Sequence, residues 1–442
     1  MKKIIPIILM SATSVFADDV IVDKNYTGEV VRTNTNYIIS ADNITFTNTS
    51  GPRHPTNTTI FDLGSYKGTK FVSSKVVAPS SNNLPFFGFN GMQFKGDTVD
   101  ADITISKTDS ASPIAIMGGF TVDNCTAIFE KATDFVWSDT NVANINVKNG
   151  GYLDFKIQYL YSIRDTTNTS VLYNTTPANA NKRVAFNIEK GSTIVANMGS
   201  GGDYYVNQST FAGKVEITTG AGRYLYFRDG TSVISDQTVA NASVFNCKFG
   251  LNGGSLVIDE SNETGSIKLL GNYLTMLSGT LTLNASNALR TVNGVNGQKD
   301  LTLEVGSGRT VSLVLGADND FRILDQNNNL SVLNVTLAGN SLTVSTTMVN
   351  GTDMDTKGIV YFTDFEEGLV KIENVDDSKF SDELTYLTTC FKGGTKDSSF
   401  DLYWNPETKY LTAVAVPEPA EWAVVLGALA IAFAFMRRQT KK

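Results

Sequence analysis

The chain has 442 residues and a formal net charge of −8, and only 18% of its residues are charged, against roughly 25% in an average soluble domain. Residues 18–415 alone contain 30 basic and 42 acidic residues, a net charge of −12, and such a body is repelled by phosphate backbones, which argues against nucleic-acid binding. Thr, Ser, Asn, Asp and Gly dominate its polar positions and favour strands and turns, so we predict an all-β body.

The N-terminal segment "MKKIIPIILMSATSVFADD" has the layout of a secretory signal peptide. Lys2 and Lys3 form a basic start, Ile4–Met10 is apolar, and small residues lead to Ala17. We predict a signal peptide over residues 1–17, cleaved before Asp18, and therefore an exported protein. A buried N-terminal strand is the alternative.

The body predicted for residues 18–357 repeats a turn followed by alternating apolar residues. Examples are "NGGYLDFKI" at Asn149, "NGGSLVIDE" at Asn252 and "LSGTLTLNA" at Leu277. Alternation places residues such as Leu281 and Leu283 on one face of a strand, and that face must be buried.

The turn glycines of these units recur at irregular steps of 40, 63, 25, 29 and 31 residues, with a basic step between about 20 and 30; they stand at positions 151, 191, 254, 279, 308 and 339. Strand-and-turn repeats of this length cannot bury themselves alone and are typical of stacked coils. We predict a right-handed parallel β-helix. Asn-Gly pairs at Asn252 and Asn293 also fit hairpins, so a series of β-sandwiches is the alternative.

Two segments interrupt the repeated pattern. Arg164–Arg183 is polar and is predicted to be a long loop that leaves one coil. Asn83–Phe94 is rich in aromatic residues and glycine, and its aromatic residues are predicted to fill the core or to form a sugar-binding platform; they are Phe86, Phe87, Phe89 and Phe94.

The sequence contains little that indicates catalysis. His54 is the only histidine and is predicted to lie in a solvated loop. Acidic residues cluster in two turns, and they are predicted to bond to nearby backbone amides; they are Asp318, Asp320 and Asp325, and Asp353 and Asp355. Polysaccharide lyases and hydrolases that use β-helices place acids in this way, so a carbohydrate-active enzyme is the alternative to a non-catalytic protein. We predict no cofactor and no metal site.

The three cysteines are too few and too widely spaced for a disulfide scaffold. Cys125, Cys247 and Cys390 are predicted to be small buried apolar residues. One disulfide and one thiol is the alternative.

The composition changes from Gly358, where charges and aromatic residues become more frequent. A solenoid needs an element that covers its last coil, because exposed strand edges recruit other chains. We predict that residues 358–415 form a C-terminal β cap.

The C-terminal tail, residues 416–442, ends in an apolar segment and a basic cluster. Trp422–Met436 contains no charge and would be about 22 Å long as a helix. We predict a single transmembrane helix there, with Arg437 and Arg438 held on the cytoplasmic side by the positive-inside rule. A buried core helix is the alternative.

The segment "VPEPAEWAVVLGALAIAFAFMRR" resembles the PEP-CTERM sorting signal of Gram-negative bacteria: Pro417, Glu418 and Pro419 precede a short hydrophobic helix and an arginine cluster. The resemblance covers about 25 residues, and Glu421 departs slightly from the usual pattern. It implies export, transient anchoring in the inner membrane, and cleavage near Pro-Glu-Pro by an exosortase, a membrane peptidase. A permanent anchor without cleavage is the alternative. The body more loosely resembles the passenger regions of autotransporters.

These features together predict a non-catalytic protein of the cell envelope or extracellular matrix. Its solenoid would act as a structural or adhesive surface, with extracellular polysaccharide as a candidate partner and no nucleic acid. The alternative is a secreted carbohydrate-active β-helix enzyme.

Overall fold

The computed structural model describes the chain in segments: residues 18–28, 35–48, 59–73, 88–107, 114–135, 143–160, 163–164, 171–172, 184–198, 204–220, 224–228, 230–235, 243–259, 267–269, 273–285, 290–291, 301–305, 311–318, 323–324, 330–331, 333–339, 341–346, 360–373, 391–413 and 431. Between residues 18 and 413 the described segments consist of strands, turns and bends. The predicted all-β body is therefore confirmed.

The strands stack into long parallel ladders, which is the arrangement of a parallel β-helix. Strands are numbered in chain order. The first ladder contains β1 (Asp18–Val22), β3 (Thr35–Ile39), β5 (Ile60–Asp62), β7 (Gly88–Lys95), β9 (Ile114–Asp123), β11 (Ala143–Lys148), β15 (Val184–Ile188), β18 (Thr210–Phe211), β21 (Thr231–Ile234), β23 (Lys248–Ile258), β25 (Tyr273–Ala285), β28 (Val311–Asp318), β32 (Leu342–Thr346) and β34 (Val370–Glu373).

Two further ladders complete the coils. The second contains β2 (Tyr26–Gly28), β4 (Thr45–Asn48), β6 (Thr69–Ser73), β8 (Asp102–Lys107), β10 (Thr126–Phe135), β12 (Tyr152–Leu160), β16 (Thr193–Met198), β19 (Lys214–Thr218), β22 (Ser243–Asn246), β24 (Ile267–Leu269), β26 (Arg290–Thr291) and β29 (Ile323–Leu324). The third contains β17 (Tyr204–Val206), β20 (Tyr224–Phe227), the first halves of β23 and β25, β27 (Leu301–Val305), β31 (Leu333–Thr336), β33 (Val360–Phe362) and β35 (Phe391–Thr395).

Antiparallel strand pairs occur at three places in the segments that the structure describes. β13 (Ile163–Arg164) pairs with β14 (Val171–Leu172), and β29 pairs with β30 (Leu330–Ser331). At the C-terminal end β36 (Ser398–Trp404) pairs with both β35 and β37 (Leu411–Ala413).

The core is built from columns of apolar side chains that are in register between coils. Because alternate residues of a strand face inward, each inward position sits over its equivalent in the next coil. One fully buried column runs through the first ladder; it contains Tyr37, Phe61, Phe94, Val122, Val147, Ile188, Phe211, Ile234 and Ile258. The second ladder has a similar column, which contains Phe46, Phe71, Ile105, Phe129, Phe155, Ala196, Ile217 and Phe245.

Glycine is required where the chain turns close to a neighbouring coil. Gly279 has φ +119°, and a Cβ atom there would overlap the carbonyl oxygen of Gly254 in the coil before. Gly119, with φ +92°, is held equally close to the backbone of Asn144. Neither position accepts another residue without a backbone shift.

Coil length varies without disturbing the ladders. The length of a coil is shown by the sequence separation of side chains that form a hydrogen bond between neighbouring coils. Asn36 and Asp19 are 17 residues apart, whereas Asn187 and Asn146 are 41 residues apart. The longer coil contains β13 and β14. The prediction of one long loop over Arg164–Arg183 is therefore wrong in part, because Arg164 and 171–172 belong to a short antiparallel hairpin.

The β-sandwich alternative is wrong, since successive coils pair in parallel and a sandwich returns its strands by antiparallel hairpins. Asn252 lies inside β23, where the register shifts and the strand bends from the third ladder into the first. The hand of the coil stays a prediction.

Candidate functional site

The predicted sorting signal lies outside the described residues. This applies to Pro417, Glu418, Pro419, Trp422, Met436, Arg437 and Arg438; of the predicted helix only Ile431 is described, and it is helical and exposed. No helix within the described segments has the length and apolar character to cross a membrane. The last described strand, β37, ends at Ala413.

The predicted signal peptide, residues 1–17, also lies outside the described residues. β1 begins at Asp18 and pairs with β3 along its whole length. Ile21 in this first strand is 72% exposed, the highest value among the large hydrophobic side chains that the structure describes.

Most of the candidate catalytic acids cannot be placed. His54, Asp320, Asp325, Asp353 and Asp355 lie outside the described residues, and Asp318 is the last residue of β28, where only the backbone is described. Within the described segments no group of three or more His, Cys, Asp or Glu residues is arranged to hold a metal ion.

Several of the described acids instead bond to backbone amides and lysines. Asp364 accepts hydrogen bonds from the backbone N–H groups of Leu337 and Ala338, both at 2.6 Å. Asp102 accepts one from the N–H of Gly68 at 3.0 Å. These carboxylates stabilise turns between coils. The same role stays a prediction for the acids that the sequence analysis singled out.

A row of charges of alternating sign lies on the outer face of the first ladder. We call Asp62, Lys95, Asp123, Lys148 and Glu189 the charged zone. Lys95 Nζ lies 3.1 Å from an Asp62 oxygen, and Lys148 Nζ lies 3.2 Å from an Asp123 oxygen. The hydrogen bond to Asp62 is the main cause that raises the pKa of Lys95.

Amide side chains join the same coils beside the charged zone. Asn187 donates to Asn146 at 2.9 Å, and Asn146 donates to Thr121 at 3.2 Å. Gln93 donates to Asp123 at 3.1 Å. The polar groups of these coils are therefore engaged with one another and link neighbouring coils.

The buried cysteines fit the prediction made for them. Cys125 is fully buried and Cys247 nearly so, and neither is in a disulfide. Burial raises the pKa of Cys125 to about 12 and also raises the pKa of Cys247. Cys390 lies outside the described residues.

Of the four aromatic residues of the segment, Phe94 is the one whose side chain the structure describes, and it belongs to the core. Phe94 is fully buried and contacts Phe61 and Phe120, with ring centroids 5.9 Å and 6.2 Å away. Core filling is therefore confirmed for Phe94. Phe86 and Phe87 lie outside the described residues, and only the backbone of Phe89, in β7, is described.

The antiparallel strands at the C-terminal end bring buried side chains over the last coils. Leu402, Trp404 and Leu411 have at most 2% exposure. Trp404 Nε1 donates to the Lys409 carbonyl at 3.2 Å, and Lys371 of β34 forms an antiparallel bridge with Tyr410. Within the predicted cap region β33, β34 and β35 still pair in parallel with coils, and the pairing turns antiparallel at β36.

A column of hydroxyl residues on the outer face of the first ladder was missed by the sequence reasoning. We call it the hydroxyl column; it contains Thr231, Ser255, Thr280, Ser312 and Thr343, in register over five successive coils. The signal is present in the sequence, where Gly230, Gly254 and Gly279 each precede one of these residues. Only a comparison of outward positions between repeats would have revealed it.

Comparison of the chain with protein-family models, with curated proteins and with solved structures finds no match.

Proposed function

We propose that the protein is an exported, non-catalytic component of the cell envelope or extracellular matrix of a Gram-negative bacterium. Its β-solenoid serves as a structural or adhesive surface. The signal peptide, residues 1–17, directs export, and the tail, residues 416–442, anchors the chain in the inner membrane until an exosortase cleaves near Pro417.

The observation that carries this proposal is the fit of the folded body between the two targeting segments. Described strands run from Asp18, the residue after the proposed signal-peptide cleavage, to Ala413. Three residues, 414–416, separate Ala413 from Pro417. Both cleavages would therefore leave every described strand intact.

The contacts of the described acids support the non-catalytic part of the proposal. A general acid or base needs a carboxylate directed at a substrate. Asp62 and Asp123 are instead paired with lysines, and Asp364 bonds to turn amides. We propose that the antiparallel strands β36 and β37 close the C-terminal end of the solenoid, which keeps the last coil from pairing with other chains.

The proposal is tested by mass spectrometry of the mature protein from its native host and by deletion of residues 416–442. We expect an N-terminus at Asp18 and a C-terminus close to Pro417, and release of the deleted form into the medium. A Lys441→Ala/Lys442→Ala variant, which keeps Arg437 and Arg438, serves as the control and should be sorted normally. Retention of the deleted form at the surface in the usual amount would refute the proposal.

A further inference from the structure

The outer face of the first ladder changes character along the solenoid. In the charged zone and the coils beside it, the polar side chains bond to one another. From β21 to β32 the two outward positions that stay in register over five coils contain no charged residue, although Asp259 follows β23 and Asp318 ends β28. The hydroxyl column is accompanied there by a second column in the same register, which contains Val233, Val257, Thr282, Val314 and Ser345.

Four residues of the hydroxyl column are at least partly exposed to solvent. Thr231 is exposed, and Ser255, Thr280 and Thr343 are partly exposed. Within the described segments no side-chain hydrogen bond engages these four hydroxyls. Thr and Val side chains are stiff at χ1, so a partner that binds here orders few new rotamers.

A pair of tyrosines borders the hydroxyl column on the third ladder. Tyr224 and Tyr226 stack with ring centroids 5.1 Å apart and planes at 20°. Lys248 Nζ lies 5.3 Å from the centre of the Tyr224 ring, and the Tyr226 ring occupies the space left by the missing side chain of Gly250. Tyr224 is partly exposed, so its ring and hydroxyl add an amphipathic group to the surface.

The two surfaces are continuous because β23 and β25 run through both ladders. In β23 the chain bends at 252–254, where Gly253 has φ +100° and Gly254 approaches the backbone of Arg228. In β23 this bend consists of Asn252, Gly253 and Gly254; in the coil before it, Arg228 lies between β20 and β21 and is buried. Tyr224 and the hydroxyl column therefore belong to one outer surface.

The area of the surface limits the class of partner that can bind to it. Five coils at a spacing of about 4.8 Å span about 19 Å, and two columns about 6.6 Å apart give a width near 13 Å with their side chains, an area of about 250 Å². A stable interface between folded proteins buries about 800 Å² on each partner. The surface is too small for a second copy of this chain and suits a thin, extended molecule.

The charge of the surface also limits the class of partner, because it argues against acidic polymers. The two columns contain no charged residue and lie on a body with net charge −12, so they offer an acidic polymer no attraction; the cation Lys248 lies outside them, at Tyr224. Hydroxyl and methyl groups at regular spacing match a chain of sugar rings, which presents hydroxyls along its edges and C–H groups on its faces. We propose that the hydroxyl column, bordered by Tyr224, binds a neutral, extended glycan. This binding deepens the proposed function, because it names what an adhesive solenoid adheres to.

Binding is tested with the full-length chain in mild detergent, by depletion onto microcrystalline cellulose as the neutral extended glycan. Thr280→Glu places a charge in the middle of the column and is expected to weaken binding about tenfold or more, as expected when a buried polar contact loses its partner. Thr104→Glu, on the outer face of β8 in the second ladder, is the matched control and should bind within about twofold of the original chain.

A second variant separates hydroxyl loss from charge and from misfolding. Thr231→Val/Thr280→Val keeps the shape and the strand preference of both residues, and it is expected to weaken binding about threefold to tenfold. Circular dichroism should be unchanged in all variants.

Four outcomes would overturn the inference. They are no binding of the original chain to cellulose, equal binding by Thr280→Glu, equal depletion onto an alginate gel, or self-association that Thr280→Glu abolishes. None of these bears on sorting, which the tail deletion tests separately.

Discussion

Phe61→Ala is the sharpest test of the stacked core. Phe61 is fully buried, and its ring centroid lies 5.2 Å from that of Tyr37 and 5.3 Å from that of Phe46. Phe71 and Phe94 lie 5.9 Å away on other sides. The side chain therefore contacts aromatic rings of its own coil and of both neighbouring coils.

The expected cost follows from these contacts. Truncating a buried Phe to Ala costs about 3–5 kcal/mol, and aromatic pairs add about 0.5–1.5 kcal/mol beyond the buried area. Because Phe61 has four ring neighbours, Phe61→Ala should lower the free energy of unfolding by about 5 kcal/mol, near the upper end of that range. Ile21→Ala, at a side chain that is 72% exposed, should cost less than about 0.5 kcal/mol.

The assay combines guanidinium unfolding with hydrogen exchange. In a solenoid each coil contacts only its neighbours, so the loss of protection should concentrate in β3, β5 and β7. Protection in β33 should be unchanged. A cost below about 1 kcal/mol, or an equal loss of protection in β33, would refute the stacked-column account.

Three further predictions concern glycine, charge and cysteine. Gly279→Ala should lower the melting temperature at least twice as much as Gly339→Ala, because both positions have positive φ but only a Cβ at Gly279 overlaps backbone; equal shifts would contradict this. The pKa of Lys95 is raised by Asp62, so its contribution to stability is fully present below the unfolded pKa, near 10.4, and is lost as pH rises through the folded pKa. The stability difference between the original chain and Lys95→Met should therefore be constant from about pH 7 to 9 and shrink above about pH 10.5, and a difference that varies below pH 9 would argue against it. In a Cys390→Ser chain, iodoacetamide at pH 8 should modify Cys125 and Cys247 only after unfolding, since burial raises the pKa of both thiols; modification of the folded chain, detected by mass spectrometry, would show that these thiols are accessible.

Local features of the fold could be read from the sequence because they depend on one or two residues. Gly191, Gly279 and Gly339 have positive φ, as expected for turn glycines. At 253–254 the first glycine has the positive φ, while Gly254 is required by its approach to the backbone of Arg228. Alternation correctly placed Leu281 in the core, at 3% exposure.

The pairing between coils could not be read in the same way. The pairing of strands depends on the lengths of the coils. Hydrogen-bonded residues in neighbouring coils are 17 residues apart in one case and 41 in another. The charged zone also escaped detection, because Asp62 and Lys95 are 33 residues apart and meet only once the register is set. The hydroxyl column escaped for the same reason, since it exists only across coils.

The hairpin β13–β14 shows how much extra chain one coil can hold. The coil between Val147 and Ile188 carries this insertion, yet both residues remain buried and in register. An epitope tag or a small foreign domain inserted in the sequence between β13 and β14 would therefore lengthen a coil that already accommodates additional chain. A chain labelled there would allow the protein to be followed on living cells without disturbing either end.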